Sequence, residues 1–342
     1  MTKTDTSMKY LFELSKDHES LPKAEVLACL NAEEIDYKTT YSDTNVVIIE
    51  SDSDIKKIKT VSDRLSSVFF VDVFLFSCEP TPEKIKKNAL KNKIVKRGSI
   101  AVKYKNRSIS IDSKSVVEAL ADVYTKNRDV NLENPDIELR ALITDSRVYV
   151  GIKLFETGRS LFDDRKVQYR PFFSPISLDP KLARVLVNLS LVKKDKVLLD
   201  PFCGTGGILL EGGLIGAKLI GSDIENKMID GCKKTLEYYK IKDYVLYRSD
   251  IGDIGNFIEE ADAVVTDFPY GKATTTKGED IGKLYSRAFE SISEVLKKKG
   301  RAVLGVSNSK MISVGSEYFS LLNIYEIKVH KSLTRYFVVY EK

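Results

Sequence analysis

Directly after the apolar run Ala263-Val264-Val265 comes Thr266-Asp267-Phe268-Pro269-Tyr270-Gly271. The run reads as a buried strand, so the turn falls at a strand's carboxyl end, where open α/β sheets hold ligands. Three groups here suit a flat base bearing an exocyclic amine: the Asp267 carboxylate, the Phe268 carbonyl and the Tyr270 ring. An amine nitrogen conjugated to a ring is a poor nucleophile. It can attack a methyl donor when two acceptors hold its N–H groups, because the nitrogen then rehybridises and aims its lone pair. Asp267 and the Phe268 carbonyl are the expected acceptors, and Tyr270 is the expected stacking platform. Pro269 disfavours helical dihedrals at Phe268 and keeps the turn extended. Taken alone, the same D-x-P-Y turn also reads as a strand exit with a core tyrosine.

A second signal upstream decides between the two. Val197-Leu198-Leu199-Asp200 has a buried-strand pattern and leads into Pro201-Phe202-Cys203-Gly204-Thr205-Gly206-Gly207, then the apolar Ile208-Leu209-Leu210. Strand, glycine loop and helix in that order make a nucleotide-binding turn whose glycines let backbone approach a ligand. The G-K-[ST] ending of a phosphate loop is missing, and the spacing is not G-x-G-x-x-G. Further acids recur after successive strands: Asp223 after 217–222 and Asp250 after 244–248. An acid ending the second strand is placed to accept both ribose hydroxyls of a nucleoside cofactor. Each acid alone reads as a helix cap, but their recurrence around one glycine loop points to a cofactor.

Asp200 to Gly206 resembles motif I of the class I S-adenosylmethionine-dependent methyltransferases. Together with Asp267-Phe268-Pro269-Tyr270 it resembles the amino-methyltransferase branch, whose signature is [DN]-P-P-[YF]. The resemblance implies S-adenosylmethionine as cofactor. It implies a binding site formed by Asp200, Phe202, Gly204 and Gly206, by Asp223 with Ile224, and by Asp250 with Ile251. In it Asp250 would hydrogen-bond the adenine amine. It also implies a catalytic turn made of Asp267, Phe268, Pro269 and Tyr270.

The elements that must position these groups follow from the rest of the chain. Its 342 residues are enough for two or three domains, and 43% hydrophobic with 30% charged residues describes an ordinary globular protein. Four scattered cysteines without a C-x-x-C pair read as reduced thiols, and two histidines cannot build a metal centre or a histidine triad. No apolar run approaches a membrane span, so a cytoplasmic protein is expected. Charge is unevenly spread: residues 1–54 hold 5 Lys/Arg against 12 Asp/Glu, and residues 55–153 hold 20 against 12. Residues 84–107 carry ten basic side chains and no acidic one. A run of this kind can be a solvated face, but beside an acidic neighbour it reads as a polyanion footprint, with Lys84, Lys87, Lys91, Lys96, Arg97 and Lys103 as the expected RNA contacts.

In chain order, residues 8–76 follow a β-α-β-β-α-β pattern, which is ferredoxin-like. A lysine-rich helix is expected over 83–93, opened by Thr81-Pro82-Glu83. Short strands at 99–104 and 107–111 follow, then a helix capped by Asp112 or Ser113 and strands 137–143 and 147–153. Val130-Asn131-Leu132-x-Asn134-Pro135-Asp136 and Val148-Tyr149-Val150-Gly151-Ile152-Lys153-Leu154 resemble the THUMP domain, an RNA-binding module of tRNA-modifying enzymes. The boundaries read as 1–55 for the ferredoxin-like start, 56–154 for THUMP, 155–178 for a linker and 179–342 for a methyltransferase domain with a doubly wound sheet. In the linker Arg159, Arg165, Lys166 and Arg170 face either RNA or cofactor, and Arg170 is assigned to RNA. A helix over about 280–298 and strands at 301–306, 322–329 and 335–341 close the sheet, the last one antiparallel.

This order of modules resembles the archaeal tRNA guanine-N2 methyltransferases, above all those that act on guanosine 10, and the likeness spans essentially the whole chain. It implies tRNA as partner and N2-methyl- and N2,N2-dimethylguanosine as products. A monomer is expected. The departure from the family is Phe268 where D-P-P-Y has its first proline. A backbone acceptor survives that change, while the added ring is expected to line or obstruct the pocket. Two alternatives stay open: the same chemistry at another tRNA guanosine (position 6) or in rRNA, and a catalytically silent RNA-binding protein.

Overall fold

The computed structural model describes residues 7–172, 177–269, 279–330 and 333–342. The first half of the chain runs β1 (Met8–Leu14), α1 (Leu21–Ala32), β2 (Lys38–Ser42), β3 (Val46–Ser51), α2 (Ile55–Arg64), β4 (Val68–Cys78), α3 (Pro82–Lys91), β5 (Ile100–Asn106), α4 (Ser113–Tyr124), β6 (Ile137–Ile143) and β7 (Val148–Glu156). Its strands form one seven-stranded sheet in the order β2-β3-β1-β4-β7-β6-β5. One sheet thus runs through both segments that the sequence divides at residue 55. Residues 107–111 do not form the expected second strand. Instead Ser108, Ile109 and Ser110 fold around the Asp145 carboxylate, which takes hydrogen bonds from both hydroxyls and from the Ile109 amide.

Helix α3 shows how sequence sets a surface. Thr81 precedes Pro82 in the first turn, Glu83 complements the positive helix start and Lys91 the negative end. Only Ile85 and Ala89, one turn apart, are buried. Lys84, Lys87 and Lys91 therefore stay exposed.

The chain divides into two compact units, and the second comprises residues 17–34, 63–67 and 158–342. Helix α1 thus belongs to the second unit, although the sequence places it in the amino-terminal module. A buried carboxylate shows why. Glu25 on α1 accepts hydrogen bonds from the Ser66 amide at 3.0 Å, the Ser67 amide at 2.8 Å and the Asn188 side chain at 2.9 Å. A buried carboxylate without such donors would carry a large desolvation cost, so these segments stay together.

The rest of the second unit runs α5 (Pro180–Leu189), β8 (Val197–Asp200), α6 (Gly207–Leu214), β9 (Lys218–Asp223), α7 (Asn226–Tyr238), β10 (Tyr244–Arg248), β11 (Ala261–Asp267), α8 (Ile281–Val295), β12 (Leu296–Val306), α9 (Lys310–Gly315), β13 (Ser320–His330) and β14 (Leu333–Glu341). The sheet order is β10-β9-β8-β11-β12-β14-β13. β10, β9, β8, β11 and β12 are parallel, and β14 runs against both β12 and β13. Alternate residues go to opposite faces, as a strand requires. Leu198, Val265, Val303 and Phe337 join the core that holds α5 and α6, while Leu199, Val264, Leu304 and Val338 join the core that holds α8. Both faces are covered, which explains the near-continuous apolar runs. β12 begins at Leu296, immediately after α8 ends at Val295. Lys297 and Lys298 belong to that strand, not to the helix expected through 298. Among the described residues, no helix is long and apolar enough to cross a membrane.

Candidate active site

Strands β10, β9, β8 and β11 are neighbours, and the residues singled out from the sequence sit at their carboxyl ends in that order. Asp250 follows β10, Asp223 ends β9, the glycine loop follows β8 and Asp267 ends β11. The glycine loop is laced to the end of β9. The Cys203 amide donates to the Ser222 carbonyl at 2.9 Å, the Gly204 amide to Asp223 Oδ2 at 3.0 Å and the Ser222 hydroxyl to the Pro201 carbonyl. Gly204 and Gly206 have φ of +48° and +80°, which favour glycine. A Cβ on Gly204 would meet nothing closer than the Phe202 carbonyl at 4.0 Å, whereas one on Gly206 would strike Cys232 Sγ at 2.6 Å. The open side at Gly204 gives a ligand access to the backbone, as a nucleoside cofactor needs.

Asp223 also accepts from the Glu225 amide at 2.9 Å, and burial raises its pKa. Asp250 caps the 3₁₀ turn Ile251–Asn256 through the Gly252 amide and takes a 2.5 Å hydrogen bond from Arg287 on α8. Arg287 also pairs with Glu279 at 2.8 Å. Ile251 is buried in the core with Ile254 and Ile258, so any contact it offers a cofactor comes from its backbone. Ile224 and Phe202 keep partial exposure.

Asp200 was expected to touch cofactor, but it is only 1% exposed. Its Oδ1 accepts from the Thr266 hydroxyl at 2.6 Å and the Phe202 amide at 3.2 Å. Burial pushes its pKa up to about 7, and the charges of Asp223 and Asp267 add to the rise. With so little surface it works as a strut, tying the glycine loop to the residue before Asp267.

The turn Asp267–Pro269 is anchored from three sides. The Phe268 amide donates to the Gly305 carbonyl at 3.0 Å, and the Tyr285 hydroxyl donates to the Pro269 carbonyl at 3.1 Å. Arg335 on β14 meets Asp267 Oδ2 at 3.3 Å. Asp267 lies opposite Gly305 in the β11/β12 register, and a Cβ there would come inside 3.0 Å of Asp267 Oδ1 and 2.9 Å from Phe337. Gly305 is therefore the space in which the Asp267 side chain stands.

The expectation that the Phe268 ring lines or obstructs the pocket fails. That ring is fully buried, with centroids 5.2 Å from Phe202, 4.8 Å from Tyr285 and 5.5 Å from Phe289. Contacts of this kind are favourable for aromatic rings, and they point the side chain into the core. Tyr270, the expected stacking platform, lies outside the described residues.

Sequence reasoning missed Arg335, Gly305, Tyr285 and Arg287. Arg335 carried the clearest signal, a cation in a strand otherwise read as Tyr336-Phe337-Val338-Val339. Arg170, expected at RNA, is only 5% exposed, and its guanidinium lies against Gly207. A group so buried does not present itself to a polyanion. The other expected RNA contacts, Lys84, Lys87, Lys91, Lys96, Arg97 and Lys103, are all exposed in the first unit. Two of them are partly committed, Lys96 to the Asp136 carbonyl at 2.7 Å and Lys103 to the Leu132 carbonyl at 2.8 Å. Arg107, the last of the ten basic residues, turns inward to Glu13 at 3.0 Å.

Residues 167–336 match the family described as RMKL-like, methyltransferase domain. The chain is 32% identical to a tRNA (guanine(10)-N2)-dimethyltransferase of Methanothermobacter thermautotrophicus, over 98% of this chain and 100% of that one. It belongs to the tRNA (guanine(10)-N2)-dimethyltransferase family. A second member of that family, from Methanocaldococcus jannaschii, is 38% identical over 68% of this chain and 66% of its own length. Among solved structures, TrmN from Thermus thermophilus covers 98% of this chain and 100% of its own, with TM-score 0.56 at 18% identity. At that identity the likeness is one of fold. It extends over both units.

Proposed function

We propose that this chain transfers a methyl group from S-adenosylmethionine to the exocyclic N2 amine of a guanosine in tRNA, at position 10, and then adds a second. The observation that carries this reading is the placement of Asp267. It stands at the end of β11, beside the glycine loop that ends β8, and is held by Arg335 on one side with Gly305 leaving room on the other. A methyl donor on the loop and an amine at the turn would thus occupy neighbouring strand ends.

S-adenosylmethionine supplies the electrophilic methyl group, and this chain's residues prepare the acceptor. Gly204 would admit the cofactor, Gly206 lets the loop pack on Cys232, Asp223 would accept from the ribose hydroxyls and Asp250 from the adenine amine. Arg335 keeps Asp267 oriented. That carboxylate and the Phe268 carbonyl each take one N–H of the guanine amine, which frees the nitrogen lone pair for attack. Once one methyl is on and the Asp267 carboxylate has taken the proton that the alkylated nitrogen sheds, the remaining N–H still binds a single acceptor. The Phe268 ring, turned into the core, does not occupy the space needed by the first methyl group. That supports dimethylation.

The first unit is read as a ferredoxin-like module continuous with a THUMP domain. Its exposed lysines on α3 and the edge strand β5 suit a phosphate backbone. Position 10 is base-paired in tRNA, and extruding it costs about a few kcal/mol, which phosphate contacts can offset. The setting for such a reaction is the cytoplasm. The test is to incubate unmodified tRNA with the enzyme and labelled cofactor, then map the label by nuclease digestion and mass spectrometry. N2-methylated guanosine 10 is expected. Label at guanosine 6 or in rRNA would move the target, label on adenine or cytosine would overturn the chemistry, and no label would leave an RNA-binding protein.

A further inference from the structure

Two acceptors alone do not choose a base. Adenine, cytosine and guanine each carry an exocyclic amine with two N–H groups, and a carboxylate with a carbonyl can hold any of them. The bases differ in what stands beside that amine on the pairing edge. In adenine and cytosine the neighbouring ring nitrogen is an acceptor, N1 or N3. In guanine it is the N1–H donor, and the O6 acceptor follows. A site that selects guanine therefore needs a second acceptor for N1–H and, next to it, a donor for O6.

Asp267 and Arg335 present such a pair. Asp267, Gly305 and Phe337 are in register across β11, β12 and β14. Arg335 precedes Phe337 by two residues on β14, so strand alternation turns both to one face. Because Gly305 has no side chain, the Asp267 carboxylate leans over β12, where a Cβ would come inside 3.0 Å of its Oδ1. Its Oδ2 then lies 3.3 Å from Arg335 Nη1. The slot at Gly305 already sets where the carboxylate stands, so holding Asp267 does not by itself call for a cation. Both side chains keep surface at this strand end, 15% for Asp267 and 13% for Arg335, which leaves the pair open to a ligand. A guanidinium carries five N–H donors in a planar fork, enough to hold a carboxylate and to donate to an atom beside it. We propose that Arg335 selects guanine: the two Asp267 oxygens take N2–H and N1–H, and Arg335 donates to O6. This rests on the methyl-transfer reading above and adds to it the choice of base. Adenine would set its N1 lone pair against the carboxylate and a C–H against the arginine. After the first transfer N1–H and O6 are unchanged, so the base keeps its register for the second.

The experiment measures kcat/KM of the full chain on tRNA assembled with guanine, 2-aminopurine or 2,6-diaminopurine at the position that the label mapping identifies. All three bases keep the 2-amine. 2-Aminopurine lacks N1–H and O6, and 2,6-diaminopurine differs from it only by an amine donor where guanine has O6. Wild type should prefer guanine to 2-aminopurine, and 2-aminopurine to 2,6-diaminopurine, whose 6-amine meets the donors of Arg335. In Arg335→Gln, whose amide can accept, the second preference should shrink by about 10- to 100-fold, the range for one contact to a base edge. Arg335→Lys, which keeps a donor, should retain part of it. Base pairing within the tRNA is the same for every enzyme and cancels in this comparison. If Arg335→Gln slows all three substrates alike, the proposal is overturned and the arginine only holds Asp267. Equal rates of wild type on guanine and 2-aminopurine overturn it without needing any variant to fold. If wild type methylates the 2-amine of none of the three, the methyl-transfer reading itself has failed.

Discussion

Gly305→Ala tests whether the Asp267 carboxylate is positioned as the chemistry requires. The added methyl would lie inside 3.0 Å of Asp267 Oδ1, where ordinary contact begins at 3.4 Å. Something must retreat by about 1 Å. Phe337, 2.9 Å away on the other side, is fully buried and cannot absorb the movement. Asp267 stands partly exposed at the end of its strand, so it is the group that shifts, and its contact with Arg335 shifts with it. A misplacement of about 1 Å in a reacting constellation can cost about 100-fold in rate. Overpacking also lowers stability, by about 1–3 kcal/mol. Single-turnover methylation of tRNA under saturating cofactor isolates the rate, and calorimetry with S-adenosylhomocysteine isolates cofactor binding. The expected result is a loss of about 100-fold in rate with cofactor affinity unchanged within about threefold. A folded Gly305→Ala protein that methylates at near wild-type rate would refute the argument that Asp267 must stand where it does.

Other expectations follow from the same geometry. Phe268→Ala should lower stability by about 3–5 kcal/mol, the usual cost of emptying a buried aromatic site, as measured by chemical denaturation. The ratio of mono- to dimethylated product should stay unchanged, and a changed ratio would return that ring to the pocket. Reversing Lys84, Lys87 and Lys91 together should raise KM for tRNA more than it lowers kcat, and binding should lose part of its salt dependence, with a slope of about 0.7–0.9 per phosphate contact. Salt-independent binding by wild type would leave these lysines as a solvated face. Asp200 has its pKa raised to about 7 in the fold, above about 3.9 when unfolded. Its contribution to stability is therefore fully present below about pH 4 and is lost as pH rises through 7. Between pH 5 and 8 the denaturation midpoint of wild type should fall more steeply than that of Asp200→Asn, and parallel curves would show that Asp200 is not buried as described.

The acids at the strand ends were legible in the sequence because each follows an apolar run, and the glycine loop because its spacing has few other uses. Asp223, Asp250 and Asp267 all lie where the alternation of strands and helices puts them. What the sequence hid was lateral. Arg335 is 68 residues from Asp267 and meets it only because β14 folds back against β12, a pairing no local pattern reveals. Lys297 and Lys298 read as helix because lysine is a good helix former, but α8 stops at Val295 and the chain enters β12 at Leu296. α1 has the pattern of an amino-terminal module, but the partners of its buried Glu25 decide where it belongs. The Phe268 ring enters the core although its place in the motif suggests the pocket. Its neighbours Phe202, from the glycine loop, and Tyr285 and Phe289, both from α8, pull it the other way.

The central claim is that Asp267 orients the N2 amine of a tRNA guanosine for methyl transfer. Its most direct test is nucleoside mass spectrometry on unmodified tRNA after incubation with cofactor and either wild type or Asp267→Ala, with cofactor affinity measured on the same samples. The account predicts N2-methylated guanosine from wild type, a rate about 100- to 1000-fold lower from the variant, as for loss of one oriented catalytic hydrogen-bonding group, and equal cofactor binding by both. Near wild-type amounts of product from Asp267→Ala, or methyl groups on any atom other than guanine N2, would contradict it.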